Sequence, residues 1–309
     1  ACFGNGKVFV AYKNNADDSV KGRLLEYSGT NSCTVGSQYS ITSNATDNFS
    51  VCYESDEDKF ILVSDGMSGA YLYASIISYS GTTISSSDTT QIDAVTDTLL
   101  GDIQFMDGKI IVSYCNTSDV ASFRACEVSG TTWTNGTAQT ISSTARAESD
   151  GSTAIILDNE NNKLLFLNSN NNSTTKVMEA TVITLSGTTF TFGTKVTMND
   201  EKTRYIQGYW DAYRDRFVIG YQVYASPYGA KNSTITVSGT VPTFVAGVDM
   251  PDTSGYTYLS NAIYIADIQK GIISAQASGA EYYINYYGTT TTVTQTDAQY
   301  IGEAISTTA

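Results

Sequence analysis

An all-β chain, folded as a six-bladed β-propeller of four-stranded antiparallel blades, is what three observations in this 309-residue sequence predict. A Ser-Gly-Thr tripeptide recurs at nearly even steps. An apolar run opened by a basic residue recurs in register with it. The two ends of the chain match different parts of one strand.

The tripeptide stands at Ser28-Gly29-Thr30, Ser80-Gly81-Thr82, Ser129-Gly130-Thr131, Ser186-Gly187-Thr188 and Ser238-Gly239-Thr240, with a degenerate copy at Tyr287-Gly288-Thr289. The spacing averages about 52 residues, the period of propeller blades and related arrays. Each copy reads as the tight turn of a hairpin, because glycine supplies the backbone freedom and the flanking β-branched residues suit strands.

The second repeat shows the element order. Asn48 to Tyr53 reads as a first strand, Glu54 to Asp58 as a polar turn, and Lys59 to Ser64 as a second strand. Tyr71 to Tyr79 reads as a third strand and Thr83 to Ile92 as a polar fourth one, as expected of an outer edge. The second strand is the clearest in every copy: Lys7–Tyr12, Lys109–Tyr114, Lys163–Leu167, Arg216–Tyr221 and Lys270–Ser274. Its near-continuous apolar character predicts burial on both faces. No stretch has helical periodicity.

Residues 1–309 are therefore expected to form a single propeller domain. Tyr300–Ile305 resembles Leu99–Gln104, the start of a first strand, and Ala1–Phe3 aligns with Val51–Tyr53, the end of one. A ring cut inside that strand brings 300–305 next to 1–3. A seven-bladed ring, or a fragment of a longer repeat array, stays open as the alternative. With no Met at position 1 and no signal-peptide pattern, the chain is expected to be processed or part of something longer.

Composition narrows the function classes. Seventeen basic against 31 acidic residues give a net charge of −14, which disfavours nucleic acid and anionic membranes as partners. No apolar run is long enough for a membrane-spanning helix. The low charge density, the 22 tyrosines and the abundant hydroxyl residues are those of extracellular and virion surfaces, so a virion or extracellular location is expected.

No histidine occurs, which removes Ser-His-Asp and Cys-His chemistry and His-based zinc sites. No cofactor and no metal site is expected. Gly4-Asn5-Gly6-Lys7 lacks P-loop spacing and reads as an Asn-Gly turn. Carboxylates cluster at Asp17-Asp18, at Glu54/Asp56/Glu57/Asp58 and at Asp158/Glu160, with Asp107, Asp211, Asp215 and Asp267 at similar places. Such loops could hold calcium, but turns between strands use the same residues, and the turn reading is preferred. The five cysteines are Cys2, Cys33, Cys52, Cys115 and Cys126. Cys115 and Cys126 flank a predicted hairpin and could form a disulfide; the other reading is that all are small buried apolar residues.

The densest aromatic stretch runs from Tyr205 to Arg216 and on to Tyr228. Rings beside Asp, Arg and Asn suit sugars, because a ring stacks on the apolar face of a pyranose while polar groups take its hydroxyls. Tyr205, Tyr209, Trp210, Tyr213, Arg214 and Tyr228 are thus the candidate ligand-binding residues; packing between blades is the competing role for each.

A strand followed by Ser186-Gly187-Thr188-Thr189-Phe190-Thr191-Phe192-Gly193, an "SGTTxTxG" hairpin, resembles the propeller repeats of bacteriophage virion proteins, including tail-fibre and other tail-associated ones. Tyr300–Ser306 resembles the "IGxAxxxI" stretch that often follows such repeats. The resemblance implies a non-enzymatic structural virion protein (tail fibre, tail tip or capsid surface) whose partners are other virion proteins, a host-surface glycan and, through flanking regions, further copies of the chain. It defines no catalytic residues. Two alternatives are a secreted lectin-like propeller and a carbohydrate-active, sialidase-like enzyme; the "SxDxGxxW" box of the latter is absent.

Overall fold

The computed structural model describes residues 1–14, 19–27, 33–42, 48–65, 71–93, 99–115, 120–141, 153–169, 177–198, 202–223, 229–250, 257–265, 270–277 and 282–287. Every regular element among them is a strand, and the strands form six antiparallel sheets. No helix among them is long and apolar enough to cross a membrane.

Each sheet follows chain order as a meander. Sheet one is built from Cys2–Gly4, Lys7–Asn14 and Ser19–Tyr27, and sheet two from Phe49–Glu54, Lys59–Asp65, Leu72–Ser80 and Thr83–Asp93. Sheet three begins with Leu99–Met106, Lys109–Cys115 and Ala121–Ser129; sheet four with Thr153–Asp158, Lys163–Ser169 and Met178–Ser186. Sheet five begins with Thr203–Asp211, Arg216–Val223 and Gly229–Ser238, and sheet six holds Thr257–Ile265, Lys270–Ala277 and Tyr282–Tyr287. The ranges read from the sequence hold to within a residue or two in sheet two.

The outer strand departs from expectation. Among the described residues, only sheet two carries it as one piece. In sheets one, three, four and five it is broken into two short strands, such as Val241–Phe244 and Val248–Asp249, both on the third strand. The second glycine of the "SGTTxTxG" hairpin marks this break: a Cβ on Gly193 would lie 2.5 Å from the Thr240 carbonyl oxygen. The first glycine serves the turn, with φ of 56° at Gly81 and similar values at Gly130, Gly187 and Gly239.

Contacts group the chain into two compact units, Ala1–Ala145 with Leu185–Phe190, and Arg146–Thr184 with Thr191–Ala309. In the first unit, Phe60 and Leu62 pack with Phe9, Leu24 and Ile41 of sheet one. Ile61 and Val63 of the same strand pack with Ile103, Ile110 and Val112 of sheet three. The second strand is therefore buried on both faces, as its apolar run predicts. In the second unit, Phe217, Ile219 and Tyr221 join Leu165 and Val182 of sheet four. Val218 and Tyr209 face the other way, toward Ile273 of sheet six. Each such side chain contributes about 1.5–3 kcal/mol through burial.

The basic residue that opens the second strand has a cross-strand role. Lys7 and Lys109 bond Glu26 and Glu127 on the third strand, both at 3.1 Å, and Lys59 donates to Ser78 at 3.2 Å. The carboxylates likewise belong to turns. Glu54 accepts the N–H groups of Asp56 and Glu57 at 3.0 and 2.7 Å, and Asp158 those of Glu160 and Asn161 at 3.0 Å. These four-residue turns close on a left-handed Asp58 or Asn162. The two-residue turns Asn5-Gly6 and Asp107-Gly108 have φ > 0 at both positions and need no such cap.

The expected disulfide is corrected. Cys115 stands opposite Ala121, whereas Cys126 stands opposite Ile110. The two cysteines thus lie at opposite ends of the strand pair, roughly 16 Å apart at about 3.3 Å per residue, beyond the reach of a disulfide. Both are buried and unbridged. Residues 300–305, Asp17, Asp18, Asp267 and Tyr228 lie outside the described residues.

Candidate functional site

The aromatic stretch of sheet five is divided by the two-residue period of its strand. Tyr209 is buried in the cluster toward sheet six. Trp210, its neighbour, points to the opposite core, with its ring 4.7 Å from that of Phe217. Tyr205 is half-buried at a bulge where Tyr205 and Ile206 both stand opposite Tyr221. Its φ of 48° is unusual for a bulky residue. Tyr213 is 62% exposed at the tip of the following turn. The Arg214 guanidinium lies 5.2 Å from the Tyr213 ring centre and bonds Asp211 at 3.1 Å. Of the candidate residues, exposed Tyr213 and half-buried Arg214 form a pair, while Tyr209 and Trp210 are packed on opposite faces.

A second constellation, which spacing does not reveal, is built in the first unit from sheets one and two. Asp58 closes the four-residue turn of sheet two in a left-handed conformation that holds its carboxylate in solvent. Three donor atoms converge there. The Tyr53 hydroxyl donates to Asp58 Oδ1 at 2.7 Å, and the Tyr79 hydroxyl donates to the same oxygen. Asn5 Nδ2, from the tight turn of sheet one, lies 3.1 and 3.0 Å from Oδ1 and Oδ2. Beneath them Phe60 acts as a pedestal, its ring centre 5.1 Å from Tyr53, 5.4 Å from Tyr79 and 5.3 Å from Phe9. Lys7, fixed by Glu26, places its ammonium 5.8 Å from the Tyr79 ring centre.

Electrostatics lock the protonation states of this group. The Tyr79 hydroxyl foremost, with Tyr53 and Asn5, holds the Asp58 carboxyl below the usual carboxylate range. Burial, and then the bond to Asp58, raises both the Tyr53 and the Tyr79 phenols. The carboxylate's contribution is present above its unfolded pKa of about 3.9 and fades as pH falls through the lower folded value. That of the phenols is present below about 10 and fades as pH rises through their raised values. The cluster is therefore intact between roughly pH 4 and 10. Ultraviolet titration is expected to find two tyrosines ionising late in the wild type and earlier in Asp58→Asn; late ionisation unchanged in the variant would contradict the assignment.

Oδ1 of Asp58 is crowded by donors, whereas Oδ2 takes only Asn5. A carboxylate offers about four acceptor positions, so Oδ2 keeps capacity on its exposed side. Chemically the group is a rigid array of oxygen acceptors beside two half-buried rings. Burial first, and then the neighbouring carboxylate, favours the protonated form of the Tyr53 phenol.

Gly4 sets the spacing between the two sheets at this point. A Cβ there would lie 2.0 Å from Cγ of the Tyr53 ring. Gly4→Ala is expected to push Tyr53 off Asp58 and to cost about 1–3 kcal/mol, as overpacking does. A denaturation midpoint equal to wild type would contradict this close approach. Tyr53 and Tyr79 were each legible as strand ends and Asp58 as a turn residue. Their convergence with Asn5 depends on packing between neighbouring sheets, for which the blade period was the only sequence signal.

No protein-family model matches the chain, and no curated protein matches its sequence. Solved structures do resemble it. A candidate 6-phosphogluconolactonase from Bacteroides uniformis has a TM-score of 0.63 at 8% identity, over 93% of this chain and 80% of that one. AofleA from Arthrobotrys oligospora has a TM-score of 0.54 at 12% identity, over 92% and 83%. The NanB sialidase of Streptococcus pneumoniae has a TM-score of 0.56 at 9% identity, over 88% and 63%. These neighbours are bacterial and fungal propeller proteins and not phage virion components, which overturns the expected role as a structural virion protein. At such identities the likeness is one of fold: the chain is an all-β protein of antiparallel sheets, most of them a four-strand meander with an extra short outer strand, and has propeller-like relatives.

Proposed function

We infer that the chain is a carbohydrate-binding propeller without catalytic activity, its six sheets being the blades of one closed ring. The observation that carries the reading is the exposed Asn5–Tyr53–Asp58–Tyr79 cluster. Sugar hydroxyls are donors in need of oriented acceptors, and Asp58 Oδ2 and the Asn5 side-chain oxygen are such acceptors beside aromatic edges. The surroundings favour uncharged glycans. Glu54, Asp56 and Glu57 adjoin the cluster, and the chain carries a net charge of −14, so an anionic sugar meets repulsion. Similarity to a sialidase in fold supports a sugar-directed propeller but not its chemistry, since fold and function separate readily.

A glycan array with the purified chain tests the reading. Retention of neutral glycans is expected, with no turnover of the retained compounds on prolonged incubation. An array without signal, or hydrolysis of a bound glycan, would overturn it.

A further inference from the structure

Tyr53 and Tyr79 hold one carboxylate oxygen between them. Tyr53 stands near the end of the first strand of sheet two and Tyr79 near the end of the third. Phe60, on the strand between, is directly opposite Tyr53 and Ile77, and Tyr79 lies two residues further along that face. Both hydroxyls donate to Asp58 Oδ1, that of Tyr53 at 2.7 Å. Two donors on one oxygen stand at most about 6 Å apart, twice the longest O–H···O bond. The ortho ring carbons beside the two hydroxyls are thus within reach of one another by small side-chain rotations.

The shared carboxylate gives this closeness a chemical use. A phenol releases an electron readily only when its proton leaves with it. Asp58 is a base already hydrogen-bonded to both hydroxyls, which is the geometry that proton transfer requires. The same bonds keep its carboxyl ionised at neutral pH, so that it is ready to accept. Both tyrosines are half-buried and Asp58 is exposed, so a dissolved oxidant reaches the group. Tyr71 and Tyr73 of the same sheet are a useful contrast. They too are half-buried, with ring centres 6.4 Å apart, yet among the described residues no carboxylate joins their hydroxyls.

We propose that Tyr53 and Tyr79 form an oxidative modification site, at which a one-electron oxidant joins the two rings as an ortho,ortho-dityrosine with Asp58 as proton acceptor. Each phenol loses one electron to the oxidant and its hydroxyl proton to the Asp58 carboxylate, which hands that proton to solvent before it takes the next. The two phenoxyl radicals then pair their odd electrons in a carbon–carbon bond between ortho positions. The hydrogen on each of those carbons moves to the ring oxygen and restores the phenols. The net change is the loss of two protons and two electrons, the electrons going to two equivalents of oxidant. The new bond ties the first strand of sheet two to the third, and the closed loop should raise the melting temperature, because the unfolded chain loses freedom. The reaction does not depend on whether the cluster also binds a glycan.

The test exposes the dilute full chain to photogenerated tris(bipyridine)ruthenium(III) with persulfate as the terminal acceptor. Cys33, an exposed thiol, is first capped with iodoacetamide so that its oxidation is not counted. The monomer is then read by dityrosine fluorescence, intact mass and peptide mapping. The expected product is a fluorescent monomer lighter by two hydrogen atoms, in which the peptides of Tyr53 and Tyr79 are joined. It should be lost in Tyr53→Phe and in Tyr79→Phe and persist in Tyr73→Phe. Asp58→Asn keeps a side-chain oxygen and tolerates the left-handed backbone at φ 54°, but it is no base. Its initial rate of crosslinking should fall about tenfold or more. A monomer without the joined Tyr53–Tyr79 product, while Tyr213 at 62% exposure is oxidised, overturns the site. A Tyr71–Tyr73 product in its place does the same. An Asp58→Asn rate equal to that of the wild type overturns the role of the carboxylate.

Discussion

Phe60→Ala is expected to lower the stability of the chain by about 3–5 kcal/mol, the usual cost of deleting a buried phenylalanine. Phe60 is fully buried, and its ring touches Phe9, Tyr53 and Tyr79 at centroid distances of 5.1–5.4 Å. The loss has two parts: the transfer of the ring into water and a cavity between sheets one and two that β-sheets cannot readily close. It should have a functional consequence as well, since the two tyrosines that orient Asp58 stand on this ring. Urea denaturation reads the first effect and glycan affinity the second. Tyr213→Ala, at a residue 62% exposed, is the control and should leave the midpoint unchanged. A Phe60→Ala midpoint close to wild type would mean that the ring is not packed as described.

Asp58→Ala is expected to weaken glycan binding by about 10–100-fold while lowering the denaturation midpoint only modestly, chiefly because alanine is disfavoured at the left-handed φ of 54°. Hydrogen bonds to a charged group contribute about 1.5–3 kcal/mol, which sets the range of the first effect. The second is kept small by exposure: a solvated carboxylate adds little to folding. Asp58→Asn should fall between the two, because it keeps one acceptor oxygen but places an N–H where an acceptor is needed. An Asp58→Ala protein that binds as the wild type does would remove the cluster from the recognition surface.

The parts of the fold that the sequence displays are those repeated six times. Lys59–Asp65 is visible because both of its faces are buried, so that Phe60 and Ile61 are both apolar although they point to different cores. The hairpin glycines are visible because a left-handed turn leaves few other choices. The break in the outer strand was hidden, since Gly193 serves the approach of Thr240 from a neighbouring sheet and not a local turn. The lysine at the head of the second strand shows in the sequence, but its partner on the third strand, 19 residues away for Lys7 and Glu26, does not.

The candidate site was legible only in part, for the same physical cause. The stretch from Tyr205 to Tyr213 is dense in sequence, but alternation sends Tyr209 to one core and Trp210 to the other. Density along a strand is therefore not density on a surface. Conversely, Asn5 and Tyr79 are distant in sequence and meet at Asp58 because two sheets pack side by side. A periodic scaffold shows where blades repeat; the contacts between blades decide which residues share a site.

The most direct test of the account is saturation-transfer NMR on the wild type and on Asp58→Ala, each mixed with a neutral glycan retained on the array. Irradiation of the aromatic protons should transfer saturation to the sugar ring protons of the wild-type complex, and the transfer should vanish in Asp58→Ala. Equal transfer in both proteins would contradict the assignment of the Asn5–Tyr53–Asp58–Tyr79 cluster as the carbohydrate site.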